Sequence, residues 1–178
     1  MPNPLYDALF GRHIGQNTPF LILPDGSEDS PAAPTLDYSR NPVVTVTFAG
    51  NRLTRNAARA YQKEFGIGVM DWRMLVMLTR DPGCSVGQAA NLTGIDKAAV
   101  SRALQRMEKA GLVRAEVRGG DERRKSWSLT PKGQDLHGRI LPRALERQQD
   151  LLKGFTPEET AQFITYMQRF LANIETSP

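Results

Sequence analysis

The chain has 178 residues, is 40% hydrophobic and 24% charged, and carries a formal net charge of +4 with a sequence pI of about 9.5. That is an ordinary globular composition, long enough for a core that needs neither disulfide nor metal, and the excess of cations favours a polyanionic partner. A lone cysteine, Cys84, excludes an intrachain disulfide framework. Without a basic apolar leader or a run of roughly 18 apolar residues, a cytoplasmic protein with no membrane partner is expected.

Residues 1–42 read as an N-terminal arm, partly extended or disordered. Prolines recur at 2, 4, 19, 24, 31, 34 and 42, PFLILPDG offers a short strand and a turn, and SEDSPAAPT has linker chemistry. The next segment holds a conflict. VVTVTF is β-branched and favours a strand, yet it runs into NRLTRNAARAYQKEF, whose Leu53, Ala57, Ala60 or Tyr61, and Phe65 share one helical face. A helix over 43–65 is expected, stopped by Gly66 and Gly68. Asp71 is expected to cap a second helix, WRMLVMLTR, ahead of the Asp81-Pro82-Gly83 break.

Ser85 and Gln88 fit a capping box that opens a short helix through about Leu92. Thr93-Gly94 is a tight turn, and Asp96 caps a longer helix, KAAVSRALQRMEKAG, ended by Gly111. Val100, Leu104 and Met107 face one way on it, with Lys97, Ser101, Arg102, Gln105 and Arg106 on or near the other face. LVRAEV and KSWSLT alternate as two strands around VRGGDERRKS. Thr130-Pro131 opens a helix with Leu136, Ile140, Ala144 (or Leu145), Leu151 and Leu152 on its apolar side. Thr156 and Glu159 form a second capping box, before a helix carrying Ile164, Met167, Leu171 and Ile174.

Residues 85–111 have the parts of a helix–turn–helix: small Ala90, Gly94 for the turn, and Val100 to fill the angle between the helices. Its second helix can offer Ser101, Arg102, Gln105 and Arg106 to a DNA major groove. Arginine can bridge guanine O6 and N7, and glutamine the matching adenine atoms. Ser85 and Lys97 stand near helix starts, where phosphate contacts are natural. An ordinary helical pair with a solvated basic face would look similar, but a hairpin directly after it reads as a wing. The glycines form its tip, and Arg118, Arg123, Arg124 and Lys125 suit phosphates and a narrow minor groove. Asp121 can hold Arg123 in a bidentate pair.

Residues 69–175 resemble the MarR family of winged helix–turn–helix regulators. The resemblance is carried by MDWRMLVML, SVGQAANLTGIDKAAVSRALQRMEKAGLV and RGGDERRKSWSLTPKG. It implies a mainly α fold with a small β-hairpin wing, and a homodimer whose N- and C-terminal helices form a dimerisation domain. Residues 43–65 and 131–175 would make up that domain, and 66–130 the DNA-binding domain. It also implies Ser101, Arg102 and neighbours as reading residues, and Asp121 and Arg123 as wing residues. The arm is longer than the family usually has. Dimerisation has an independent rationale, since one recognition helix covers few base pairs and two read a near-palindromic operator in double-stranded DNA.

Many proteins of this kind are repressors that release DNA when a small aromatic anion binds. Tyr61, Trp72, Arg73 and His137 are the candidate effector residues: rings to stack on and a guanidinium for a carboxylate. The alternatives are a constitutive DNA-binding protein without an effector and a structural winged helix that reads no sequence. Cys84 lies just before a helix start, which can lower a thiol pKa, but a structural cysteine is the better reading. Catalysis has little support. His13 and His137 are the histidines, and there is no zinc-spaced cluster, G-x-S-x-G elbow or phosphate-cradling loop. The chain is therefore read as a regulator, not an enzyme, with no cofactor and no metal.

Overall fold

The computed structural model describes residues 20–28, 30–117 and 125–176. Two compact units divide between Gly66 and Ile67.

In the first unit, β1 (Leu21–Ile22) pairs antiparallel with β2 (Thr35–Leu36), and the long helix α1 (Pro42–Phe65) follows. The turn between the strands is built on Asp25, whose carboxylate accepts from the Ser27 backbone N–H at 3.0 Å. The strand signal of VVTVTF loses to its flanks. Asn41 caps the helix, its Oδ1 accepting from the Val43 and Val44 N–H groups at 3.0 and 3.2 Å. Pro42 stands at the first position, where no N–H is needed. Thr45 and Thr47 donate their hydroxyls back to the carbonyls of Asn41 and Val43. Gly66 ends α1 in a left-handed conformation, φ 69°.

The second unit contains α2 (Val69–Arg80), α3 (Val86–Thr93), α4 (Lys97–Lys109), β3 (Val113–Val117), β4 (Lys125–Leu129), α5 (Pro131–Leu151) and α6 (Pro157–Thr176). Met74, Leu75 and Leu78 of α2, Val100, Leu104 and Met107 of α4, Val113 of β3 and Ile140 of α5 are its fully buried large side chains. The core thus lies where α2 packs on α4, β4 and α5. β3 and β4 pair antiparallel from Val113↔Leu129 to Val117↔Lys125.

One local expectation changes. Helix α2 begins two residues before Asp71, with Gly68 as its cap. Asp71 sits at the third helical position, where its Oδ2 accepts from the Gly68 N–H at 3.0 Å, so it completes the cap from inside the helix. Cys84 is buried, and burial first, then the charge of Asp81, pushes its thiol pKa up rather than down.

Thr130 caps α5 by accepting from the Gly133 N–H at 3.1 Å, while its hydroxyl donates to the Gly111 carbonyl at 2.7 Å. Gly133 is forced by contact: a Cβ there would stand 2.1 Å from the Leu112 carbonyl oxygen. The Thr156 box forms as expected. The Glu159 N–H donates to Thr156 Oγ1 at 3.1 Å, and Glu159 accepts from the Thr156 N–H at 2.8 Å. No residue of α6 is buried, and Phe163, Ile164, Tyr166, Leu171 and Ile174 are among its exposed apolar side chains. No helix among the described residues is long and apolar enough to cross a membrane.

Candidate nucleic-acid interface

Helix α3 opens on a reciprocal cap. The Gln88 N–H donates to Ser85 Oγ at 3.2 Å, and the Ser85 N–H donates to Gln88 Oε1 at 2.8 Å. The helix ends at Gly94 in the left-handed region, φ 64°, which a side-chain-bearing residue adopts only at a cost. Asp96 restarts the chain as α4, its Oδ1 accepting from the Ala98 and Ala99 N–H groups at 2.9 and 3.1 Å. Ala90 is buried at the helix crossing, and Val100, Ala103, Leu104 and Met107 are buried along the inner face of α4. That burial fixes which face of α4 looks outward.

On the outer side Lys97, Arg102, Gln105 and Arg106 are exposed and Ser101 is half-buried. Gln105 reaches Ser101 Oγ at 3.5 Å, and no acidic residue occupies the first turn of α4. Arg106 differs from its neighbours: its guanidinium donates to Asp71 Oδ1 at 2.5 Å. The carboxylate that completes the α2 cap therefore also ties α2 to α4. Ser85, Ser101, Gln105 and Lys125 line one recess of about 510 Å³, bordered by Gly87, Glu108 and Trp127. It joins the start of α3, the outer face of α4 and the root of the wing. The Trp127 indole N–H is buried with no acceptor among the described residues.

The hairpin is joined to the segment before α3. The Trp127 N–H donates to the Cys84 carbonyl and the Gly83 N–H donates to the Trp127 carbonyl, both at 2.8 Å. The wing strands are thus anchored at their root. The expected tip residues Arg118, Asp121, Arg123 and Arg124 lie outside the described residues.

Of the effector candidates, Trp72, Arg73 and His137 belong to the second unit and Tyr61 to the first. The Trp72 and His137 rings stack on each other, with centroids 5.4 Å apart and planes 19° apart. Arg73 lines a groove on α2 together with Trp72. Tyr61 is buried on α1 in the first unit. No group of three or more metal-ligating side chains occurs among the described residues. Spacing alone missed Asp71 as a link between helices and Gly133 under Leu112, because each depends on a partner far along the chain.

Residues 65–124 match the MarR family profile. The chain is 28% identical over 122 residues to the homoprotocatechuate degradative operon repressor of Escherichia coli, covering 66% of this chain and 82% of that protein. Its fold is similar to a MarR/EmrR family transcriptional regulator from Acinetobacter sp. ADP1, with TM-score 0.75 and 27% identity, over 80% of this chain and all of that one. It is also similar to a MarR family regulator from Listeria monocytogenes solved with a 26mer DNA, with TM-score 0.69 and 22% identity, over 75% and 89% of the two chains.

Proposed function

The chain belongs to the MarR family of transcription regulators, and from that premise we propose that it is a sequence-reading repressor, bound as a homodimer to a near-palindromic operator and released by a small aromatic effector. The observation that carries the reading is the outer face of α4. It presents Lys97, Ser101, Arg102 and Gln105 over a row of buried apolar side chains. Arg102 and Gln105 have the hydrogen-bonding groups that distinguish guanine and adenine in the major groove. Arg106 reads or orients from its ion pair with Asp71. Ser85 and Lys97 take phosphates at helix starts. Arg118, Arg123 and Arg124 serve the minor groove, with Asp121 steadying Arg123.

The dimer is supported by apolar surface. Leu141, Leu145 and Leu151 of α5 and the row along α6 are exposed in the single chain, as expected where a second copy covers them. On this reading 43–65 and 131–175 associate, 66–130 contacts DNA, and residues 1–42 are an added arm. The protein works in the cytoplasm beside its DNA. The effector class is supported by the similar repressor, whose name ties it to homoprotocatechuate, an aromatic acid. Tyr61, Trp72, Arg73 and His137 are the effector residues first to be tested.

The deciding experiment is a footprint on DNA upstream of the protein's own gene, at stated salt and with excess scrambled duplex. Protection of a near-palindrome that survives the competitor supports the reading. Binding that the competitor abolishes there and across a genomic DNA library points instead to a winged helix that reads no sequence.

A further inference from the structure

Lys97, Arg102 and Arg106 are all exposed on α4, but of the three only Arg106 has a carboxylate partner among the described residues. It stands one turn beyond Arg102, and its guanidinium is drawn back to Asp71 Oδ1 at 2.5 Å. That carboxylate has a second duty. Its Oδ2 accepts from the Gly68 N–H at 3.0 Å, so one oxygen closes the start of α2 while the other holds Arg106. The Asp71 side chain is only 11% exposed, against 58% for Arg106. Withdrawing the arginine would leave a nearly buried carboxylate without its countercharge, which is a costly state. A duplex that took the guanidinium would also bring its phosphates toward that bare negative charge. The pair therefore resists being opened by DNA.

We propose that Asp71 is a specificity-setting positioning residue: it keeps the Arg106 guanidinium off the DNA backbone, so that Arg106 orients α4 and leaves readout to Arg102 and Gln105. This role rests on the reading of the chain as a sequence-reading repressor. Phosphates are offered by every sequence, and contacts to them carry no sequence information. On a wrong site α4 is free to slide until a released arginine meets a phosphate. On the operator the base contacts fix its register, and a phosphate within reach is not guaranteed. Release of Arg106 therefore strengthens wrong-site binding more than operator binding, and specificity is the ratio of the two. An amide separates the two duties of Asp71. In Asp71→Asn the carbonyl oxygen can keep the Gly68 N–H, while the NH2 group turned toward Arg106 is itself a donor and cannot hold it.

The test titrates the full chain and its variants on the footprinted operator and on scrambled duplex, between about 50 and 200 mM salt, with urea unfolding to check the fold. Asp71→Asn should bind scrambled duplex about threefold to tenfold more tightly, with a log–log salt slope steeper by about 0.9, the mark of one added phosphate contact. Operator affinity should rise less, so discrimination falls. Asp71→Asn/Arg106→Gln keeps the wild-type net charge and should restore the wild-type slope and discrimination. Asp150→Asn, at an exposed position of α5, makes the same charge change away from the pair and should move the slope clearly less. An Asp71→Asn slope equal to wild type, or matched by Asp150→Asn, overturns the proposal. So does a double variant shallower than wild type by about 0.9, because Arg106 would then already be on a phosphate. One measurement needs no variant: on adding duplex to the wild type, the Arg102 side-chain NMR signal should shift and that of Arg106 should stay. Equal shifts overturn the proposal. Equal wild-type affinity for operator and scrambled duplex overturns the repressor reading and the specificity role with it, while the slopes still decide whether Asp71 withholds Arg106 from phosphate. Binding to neither duplex overturns both.

Discussion

Gly133 shows how far one residue can decide a packing arrangement. Its Cβ position is occupied by the Leu112 carbonyl, so Gly133→Ala must push β3 and α5 apart. A loss of about 2–3 kcal/mol is expected by urea denaturation, the scale of core overpacking. The ending LTPKG marks this glycine in the sequence only by resemblance; the contact that requires it spans the chain from 112 to 133. Cys84 is similar. Its place before a helix suggests an activated thiol, but burial dominates and raises its pKa. The fold favours the protonated thiol, so that stabilisation is complete below the unfolded-chain value near 9.0 and is lost as pH rises past it. Thiol labelling at pH 8 should be slow in the native protein and fast in urea, and Cys84→Ala should flatten the fall in stability above pH 9. Fast native labelling would mean an accessible thiolate.

Among the elements, α2 and α4 share an ion pair with one buried end. Asp71 is 11% exposed as a side chain and Arg106 is 58% exposed. Asp71→Ala also removes the acceptor for the Gly68 N–H, so it should cost about 2 kcal/mol. Arg106→Ala should cost less. A double-mutant cycle should return a coupling of about 0.5–1 kcal/mol, discounted for the solvated arginine; zero coupling would make the pair incidental. On the proposed reading, α4 yields a contrast of its own. Arg102→Ala should lose about 1–3 kcal/mol on the operator and relax one base position. Arg124→Ala should weaken all sequences alike and lower the salt slope by about 1. Binding titrations on operator and scrambled duplexes separate the two, and equal small effects would count against sequence readout. Helix starts were legible at the local caps Ser85–Gln88, Asp96 and Thr156–Glu159. The start of α2 was misplaced because Asp71 suits either position locally. The Trp72–His137 stack and the Cys84–Trp127 bridge were invisible because no local period encodes a partner over 40 residues away.

For the whole molecule, the exposed rows on α5 and α6 matter most. Leu171→Asp with Ile174→Asp alters side chains that are both 55% exposed in the single chain, so the monomer fold should survive. Sedimentation should nevertheless report a monomer at micromolar concentration. Operator affinity should drop at least roughly 100-fold, as linked half-site binding is lost. An unchanged dimer would move the association face elsewhere. The end of α1 at Gly66 was visible in the sequence as a glycine stop. The apolar pattern of α6 was visible too, but a pattern states that a face wants cover and not what supplies it.

The backbone bridge between Cys84 and Trp127 has a mechanical meaning. Because the hairpin root shares hydrogen bonds with the strand-like segment that feeds α3, the root of the wing cannot swing without breaking that ladder. On the proposed DNA-binding reading, the pair of prongs then behaves as a caliper with a locked jaw. A duplex whose grooves are spaced differently must itself bend or twist to fit, so stiffness of the operator, and not only its letters, enters the energy of recognition.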